Sequence, residues 1–142
     1  MNILISACLI GVNCRYDGGS LKLKEFDELS TKYHLIPICP EQLGGLSTPR
    51  PPAEILNGRV ITKEGDDITK AFERGAIEVL NLAKLYHCTI AILKERSPSC
   101  GSKERYDGNF GGKLISGDGL TASLLKQHNI TVLGEDDISI LL

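Results

Sequence analysis

Short apolar stretches alternate with longer amphipathic stretches along the chain, and this alternation constrains the fold more than any other feature. The apolar stretches lie near residues 3–7, 35–38, 90–93 and 131–133. Between them, apolar side chains recur at helical spacing over residues 21–33, 67–86 and 121–127. Alternation of strands and helices is typical of a parallel sheet covered on both faces. The sequence therefore predicts a single-domain α/β fold, a three-layer sandwich with a mostly parallel sheet, Rossmann-like or flavodoxin-like.

Two longer segments lack this periodicity. Residues 41–57 contain Gly44-Gly45 and several prolines, and residues 101–119 are rich in glycine, so both are predicted to be loops. A minor strand is predicted over residues 59–63, after the turn signal Asn57-Gly58.

The bulk properties exclude several classes of protein. A chain of 142 residues is long enough for one domain with a real core and too short for two. The net charge of −2 and the scarcity of aromatic residues indicate no clear nucleic-acid surface. The first residues do not resemble a signal peptide, and no apolar run is long enough to span a bilayer. We therefore expect one cytoplasmic domain over residues 1–142, with no membrane partner.

Cysteines mark the candidate functional site. The chain has five, an odd number, and nothing points to secretion, so a disulfide framework is the weaker interpretation. Cys8 follows the first predicted strand, Cys39 follows the second, and Cys100 lies in the loop after the third. Because parallel strands end at the same edge of a sheet, these three thiols are expected to converge. Cys14 is expected to be within reach of them, whereas Cys88 precedes a strand and is expected to be a buried thiol at the opposite edge.

Metal binding, nucleophilic catalysis and simple burial are the open interpretations of these thiols. No C-x₂-C pair is present, and a closed zinc site needs four ligands. Three thiolates with an open coordination position suit chemistry better, which favours a metal site. If the bound metal is iron, the site is expected to lose it in air, leaving an empty site, another metal or a disulfide such as Cys8–Cys14.

Polar residues accompany the predicted thiol site. Glu41, two residues after Cys39, is a candidate general acid or base. Ser97 and Ser99 bring hydroxyls near Cys100, although both also suit a turn. Three arginines are candidates for holding an anionic or carbonyl-rich ligand, or are surface charges: Arg15, Arg50 and Arg96.

Three motifs together resemble those of the bacterial thiouracil desulfidase family, formerly a family of unknown function. They are SACLIGVNCRYDG from Ser6, CPE with GGL and PR from Cys39, and LK with SPSCG, YDG and Phe110 from Leu93. The resemblance follows the order of the motifs and covers nearly the whole chain.

This resemblance implies a [4Fe–4S] cluster held by Cys8, Cys39 and Cys100, with the fourth iron open to the sulfur of the substrate. It implies Glu41 and Ser97 as the catalytic pair and does not require Cys14 as a ligand. The implied reaction is non-redox removal of sulfur from a thiolated pyrimidine, which gives a carbonyl and hydrosulfide. It also implies the iron–sulfur assembly machinery as a partner.

Two questions stay open from the sequence. The first is whether the substrate is a free base, a nucleoside or a nucleotide. The second is whether the protein is instead a metal or iron–sulfur binding module that senses or carries sulfur without turnover.

Overall fold

The computed structural model describes residues 1–142. Its strands are β1 (Asn2–Ser6), β2 (His34–Ile38), β3 (Ala53–Leu56), β4 (Arg59–Thr62), β5 (Ile90–Leu93), β6 (Glu104–Tyr106), β7 (Leu114–Ser116) and β8 (Thr131–Gly134). Its helices are α1 (Phe26–Lys32), α2 (Pro40–Leu43), α3 (Thr69–Leu85) and α4 (Leu120–Gln127), with short 3₁₀ turns over Ala7–Ile10 and Ile138–Leu141. None of these helices combines the length and the apolar character needed to cross a membrane.

Four strands form the central sheet, in the order β2, β1, β5, β8. Every neighbouring pair is parallel; between β1 and β2, Asn2 lies opposite His34 and Ser6 lies opposite Ile38. The four predicted core strands all overlap these observed strands, so the predicted α/β fold with a mostly parallel sheet is confirmed. The strands preceding Cys8, Cys39 and Cys100 therefore end at one edge of the sheet.

Helices cover both faces of this sheet. Alternate strand residues point to opposite faces, so each strand buries side chains on both sides. Leu4 and Ala91 are fully buried on the face covered by α3 and α4. Ile3 and Ile5 are fully buried on the other face, where they pack with Leu29 of α1. Burial of both faces explains why these strands are almost continuously apolar.

The long helix α3 begins where the sequence predicts, and side chains fix its first turn. The Asp67 carboxylate accepts hydrogen bonds from the backbone N–H of Thr69 (3.0 Å) and from its hydroxyl (2.6 Å). It also accepts one from Arg59 Nε (2.9 Å), and the Val60 N–H donates to the Thr69 hydroxyl oxygen (2.8 Å). The start of α3 is thereby tied to strand β4.

Helices α2 and α3 approach each other at the level of their backbones. A Cβ atom at Gly75 of α3 would overlap the carbonyl oxygen of Pro40, and one at Gly44 would overlap that of Ala71. These two glycines therefore permit a contact that fixes α2, the helix that carries Glu41, against the main body of the domain.

The predicted helix over residues 21–33 is partly wrong, since only Phe26–Lys32 is helical. The Leu21 N–H donates to the Cys8 carbonyl, and the Leu23 N–H donates to the Leu9 carbonyl, both at 2.8 Å. These long-range backbone bonds draw residues 21–23 along the turn that carries Cys8, and thus out of the helix.

Both predicted loops contain regular structure. Residues 41–57 include most of α2 and all of β3, which pairs antiparallel with β4 across Asn57-Gly58. The minor strand predicted after that turn is confirmed as β4. The glycine-rich segment 101–119 contains the antiparallel pair β6 and β7. These short strands lack the apolar alternation that would have revealed them.

Candidate active site and family

A cavity of about 560 Å³ opens at the carboxyl edge of the central sheet. Cys8 lies in the 3₁₀ turn after β1, Cys39 joins β2 to α2, and Cys100 lies in the loop after β5; all three line this cavity. Cys14 also lines it, as predicted, whereas Cys88 is buried in the core between the sheet and helices α3 and α4. The structure therefore brings together the thiols that the sequence analysis singled out.

Burial dominates the acid–base properties of these thiols. It raises the pKa of Cys100 to about 11, although the Ser6 hydroxyl, which donates to the sulfur at 3.5 Å, and the Ser99 hydroxyl, which lies 3.6 Å from it, oppose the rise. Burial, reinforced by neighbouring thiols, raises the pKa of Cys8 and of Cys14 to about 12. A cation must therefore displace protons from the thiols that bind it.

The donor set at the cavity fits an iron–sulfur cluster. Cys8, Cys39 and Cys100 offer sulfur alone, and soft thiolate ligands select iron–sulfur clusters, zinc or copper. No three His, Cys, Asp or Glu side chains are arranged to hold one metal ion. Ligands of a cluster attach to separate irons, so they need not converge on one point as the ligands of a single ion must.

Glu41 faces the cavity from the first turn of α2, with both carboxylate oxygens engaged. Oε1 accepts a hydrogen bond from Arg50 Nε at 2.9 Å, and Oε2 accepts one from the Ser99 hydroxyl at 2.8 Å. The Glu41 and Arg50 side chains are only 14% and 6% exposed. This pairing fixes the direction of the carboxylate.

Ser97 makes no hydrogen bond with Glu41. Its hydroxyl oxygen accepts the Cys100 backbone N–H at 2.7 Å and lies 3.3 Å from the Ser99 hydroxyl oxygen. Ser99 therefore connects the two residues that the sequence analysis named as a catalytic pair. The sequence marks Ser99 only as one of two serines in a turn.

The three arginines near the site have different surroundings. Arg15 and Arg96 line the cavity. Arg50 also lines it, but its guanidinium contacts Glu41, the Thr48 hydroxyl (2.9 Å) and the Cys14 carbonyl (2.8 Å). Its hydrogen bonds are thus made within the protein, which favours a role in organising the site.

A buried carboxylate that the sequence analysis missed supports the loop of Cys100. Glu95 is 8% exposed and accepts the backbone N–H groups of Ser102 (2.7 Å) and Lys103 (3.0 Å), as well as the Ser102 hydroxyl (3.0 Å). Burial alone would raise the pKa of Glu95, but these hydrogen bonds outweigh it and lower the pKa. Only the folded loop brings these donors to the carboxylate.

The hairpins form the remaining wall of the cavity. Glu54 of β3 accepts the backbone N–H groups of Gly108 (3.0 Å) and Phe110 (3.1 Å), and so orders the turn between β6 and β7. Tyr106 of β6 and Tyr16 of the first loop also line the cavity. The glycine-rich segment is therefore a shaped part of the site.

Comparison with known proteins agrees with this site. The sequence pattern that defines the 2-thiouracil desulfurase family matches residues 3–137. The chain belongs to this family. This chain is also similar to "Uncharacterized protein YbbK" of Bacillus subtilis (strain 168), with 42% identity across 96% of this chain and 97% of that protein.

A solved structure with a closely similar fold supports the same family. It is that of TudS, described as a [4Fe–4S]-dependent thiouracil desulfidase. The TM-score is 0.94 and the identity 44%, over 99% of this chain and 94% of that one. The family resemblance expected from the three motifs is confirmed.

Proposed function

We propose that this protein is a [4Fe–4S]-dependent, non-redox desulfidase acting on a thiolated pyrimidine, with residues 1–142 forming one desulfidase domain. The observation that carries the proposal is the convergence of Cys8, Cys39 and Cys100 on a cavity that also contains the fixed carboxylate of Glu41. Family membership supports it, as does the likeness to TudS, a [4Fe–4S]-dependent thiouracil desulfidase.

The three cysteines are proposed to hold the cluster. When bound, the cluster supplies an open, thiophilic iron that acts as a Lewis acid toward the sulfur of the substrate. The overall reaction adds water to the carbon of a thiocarbonyl and releases hydrosulfide, so a carbonyl replaces the thiocarbonyl and no electrons are exchanged. The protein must take a proton from the attacking water.

Glu41 is the proposed base for this proton. Arg50 and Ser99 hold its carboxylate in one orientation at the cavity, which removes the entropy cost of positioning it during the reaction. Ser97, with its hydroxyl 3.3 Å from that of Ser99, is proposed to relay the proton or to orient the water. The proposal includes a cytoplasmic location and cluster delivery by the iron–sulfur assembly machinery.

The test is hydrosulfide release from thiouracil by protein reconstituted without oxygen, with each rate divided by the iron content. Glu41→Gln keeps nearly the same shape but cannot accept the proton, so its rate is expected to fall by about 10²–10⁴-fold with the cluster retained. Ser97→Ala is expected to lose as much or less. Full activity in Glu41→Gln would exclude the proposed base.

A second measurement tests the ligands. Replacing Cys8, Cys39 or Cys100 with Ala is expected to abolish the broad visible absorbance of the reconstituted cluster. The matched control is Cys88→Ala, which removes a thiol buried away from the cavity and should leave that absorbance intact. A fully loaded parent protein that desulfurates no thiolated pyrimidine would favour the sensing or sulfur-carrying alternative.

A further inference from the structure

The fourth thiol of the cavity lies beside one of the proposed cluster ligands. The Cys39 thiol donates to the Cys14 carbonyl at 3.8 Å. Both residues line the cavity. Cys39 is the only half-buried cysteine of the five, whereas Cys14 is 2% exposed.

Arg50 holds the two cysteines in this relation. Its guanidinium donates to the Cys14 carbonyl at 2.8 Å, and its backbone N–H donates to the Tyr16 carbonyl at 2.8 Å. The same guanidinium binds Glu41, two residues after Cys39. The loop that carries Cys14 is thus fixed against the turn that carries Cys39. Disulfide formation requires such preset proximity, because a distant pair cannot be bridged without moving the backbone.

We propose that Cys14 and Cys39 form a reversible disulfide when the site lacks its cluster and a peroxide enters the cavity. The inference rests on the proposed function only in treating Cys39 as a cluster ligand. It replaces the Cys8–Cys14 pairing expected from the sequence, because the thiol that donates to the Cys14 carbonyl is that of Cys39.

The chemistry takes place in two balanced steps. The Cys39 thiol reacts with the peroxide, giving a sulfenic acid and the corresponding alcohol, or water in the case of hydrogen peroxide. The Cys14 thiol then attacks the sulfenic sulfur, so that an S–S bond forms and water leaves. Cys39 reacts first because it is the more accessible of the two, and Cys14, which is 2% exposed, is the resolving thiol. A reducing thiol restores both cysteines.

This disulfide has two consequences for the site. It removes Cys39 from the ligand set, so the oxidised chain cannot take up a cluster. It also protects Cys39 from further oxidation to the sulfinic acid, which ordinary thiols do not reduce.

Disulfide mapping of the full-length, metal-free protein tests the pairing. The protein is treated with hydrogen peroxide, its remaining thiols are alkylated, and its tryptic peptides are analysed without reduction. A link is expected between the peptide of residues 1–15 and the peptide that contains Cys39. Because Cys8 shares the first peptide with Cys14, the link must persist in Cys8→Ala and disappear in Cys14→Ser. Cys88→Ala is the control that keeps it.

Any other result for the parent protein would overturn the proposal. Such results are a Cys8–Cys14 link, a Cys8–Cys39 link, or sulfinic acid at Cys39 with Cys14 still free. The mapping needs neither iron nor substrate, so it remains decisive even if the desulfidase proposal fails.

Iron uptake provides the second readout. After peroxide treatment the parent protein is expected to lose cluster uptake and to regain it on reduction. Cys14→Ser is expected to stay unable to load after the same reduction, with Cys39 found as sulfinic acid. A circular dichroism spectrum of Cys14→Ser is recorded to check that the variant is folded. The test is repeated with Cys14→Ala, which has a different side chain. Equal recovery of parent and folded variants would refute the protective role.

Discussion

Gly75→Ala is expected to destabilise the protein, although alanine is the better helix former. In the interior of α3 the exchange alone would stabilise by about 1 kcal/mol. The added Cβ, however, overlaps the carbonyl oxygen of Pro40, a backbone atom that cannot rotate away. That carbonyl also accepts the Gly44 N–H at 2.9 Å, so helix α2 must move as a unit.

The expected change in the free energy of unfolding of Gly75→Ala is the balance of two opposing effects. Overpacking typically costs about 1–3 kcal/mol, and the backbone overlap at Gly75 places this case at the upper end. After subtraction of the gain in helix propensity, a net loss of about 2 kcal/mol in the free energy of unfolding is expected. Because α2 carries Glu41 and begins directly after Cys39, iron bound per chain after reconstitution is expected to fall as well.

Urea denaturation of the metal-free protein measures the loss of stability through the midpoint, provided that the slope is unchanged. The matched control is Gly111→Ala, since a Cβ at Gly111 meets no atom within 4 Å. Its stability is expected to stay within about 0.5 kcal/mol of the parent. A Gly75→Ala protein as stable as the parent, or more so, would refute the reasoning from the α2–α3 contact.

Three further substitutions test other contacts. Arg50→Ala leaves the largely buried Glu41 carboxylate unpaired and should cost about 3–5 kcal/mol in urea denaturation, with Arg50→Lys costing less; equal losses would contradict the ion-pair argument. Glu95→Gln replaces an acceptor oxygen by an amide donor facing N–H groups, and should cost about 1–3 kcal/mol and reduce cluster retention; unchanged values would exclude its support of the Cys100 loop. Hydrogen bonds from Thr69 and Arg59 lower the pKa of Asp67 from 3.8 to about 2, so its stabilising effect is present above pH 4 and is lost as the pH falls toward 2. Asp67→Asn should therefore be less stable than the parent at neutral pH, with the difference in urea midpoint shrinking through that range; a constant difference would contradict the linkage.

The local pattern of the sequence determined the central sheet and its main helices. A strand buried on both faces must be apolar along most of its length, as β1 is, and an amphipathic helix must repeat its apolar residues at helical spacing, as α3 does. The placement of Cys8, Cys39 and Cys100 after successive strands also followed, because parallel strands present the same end at one edge. These features depend on residues close together in the chain or on a general rule of topology.

Only the tertiary structure decided how the site is organised. The Ser99–Glu41 hydrogen bond joins residues 58 positions apart, and the contact between Cys14 and Cys39 depends on how Arg50 fixes two separate loops. Residues 21–23 are not helical, contrary to the prediction, because the N–H groups of Leu21 and Leu23 donate to the distant carbonyls of Cys8 and Leu9. The strands β6 and β7 lack the alternation that would identify them in a single sequence. Such contacts are chosen by the free energy of the whole fold, and their distance along the chain leaves no periodic signal in the residues that make them.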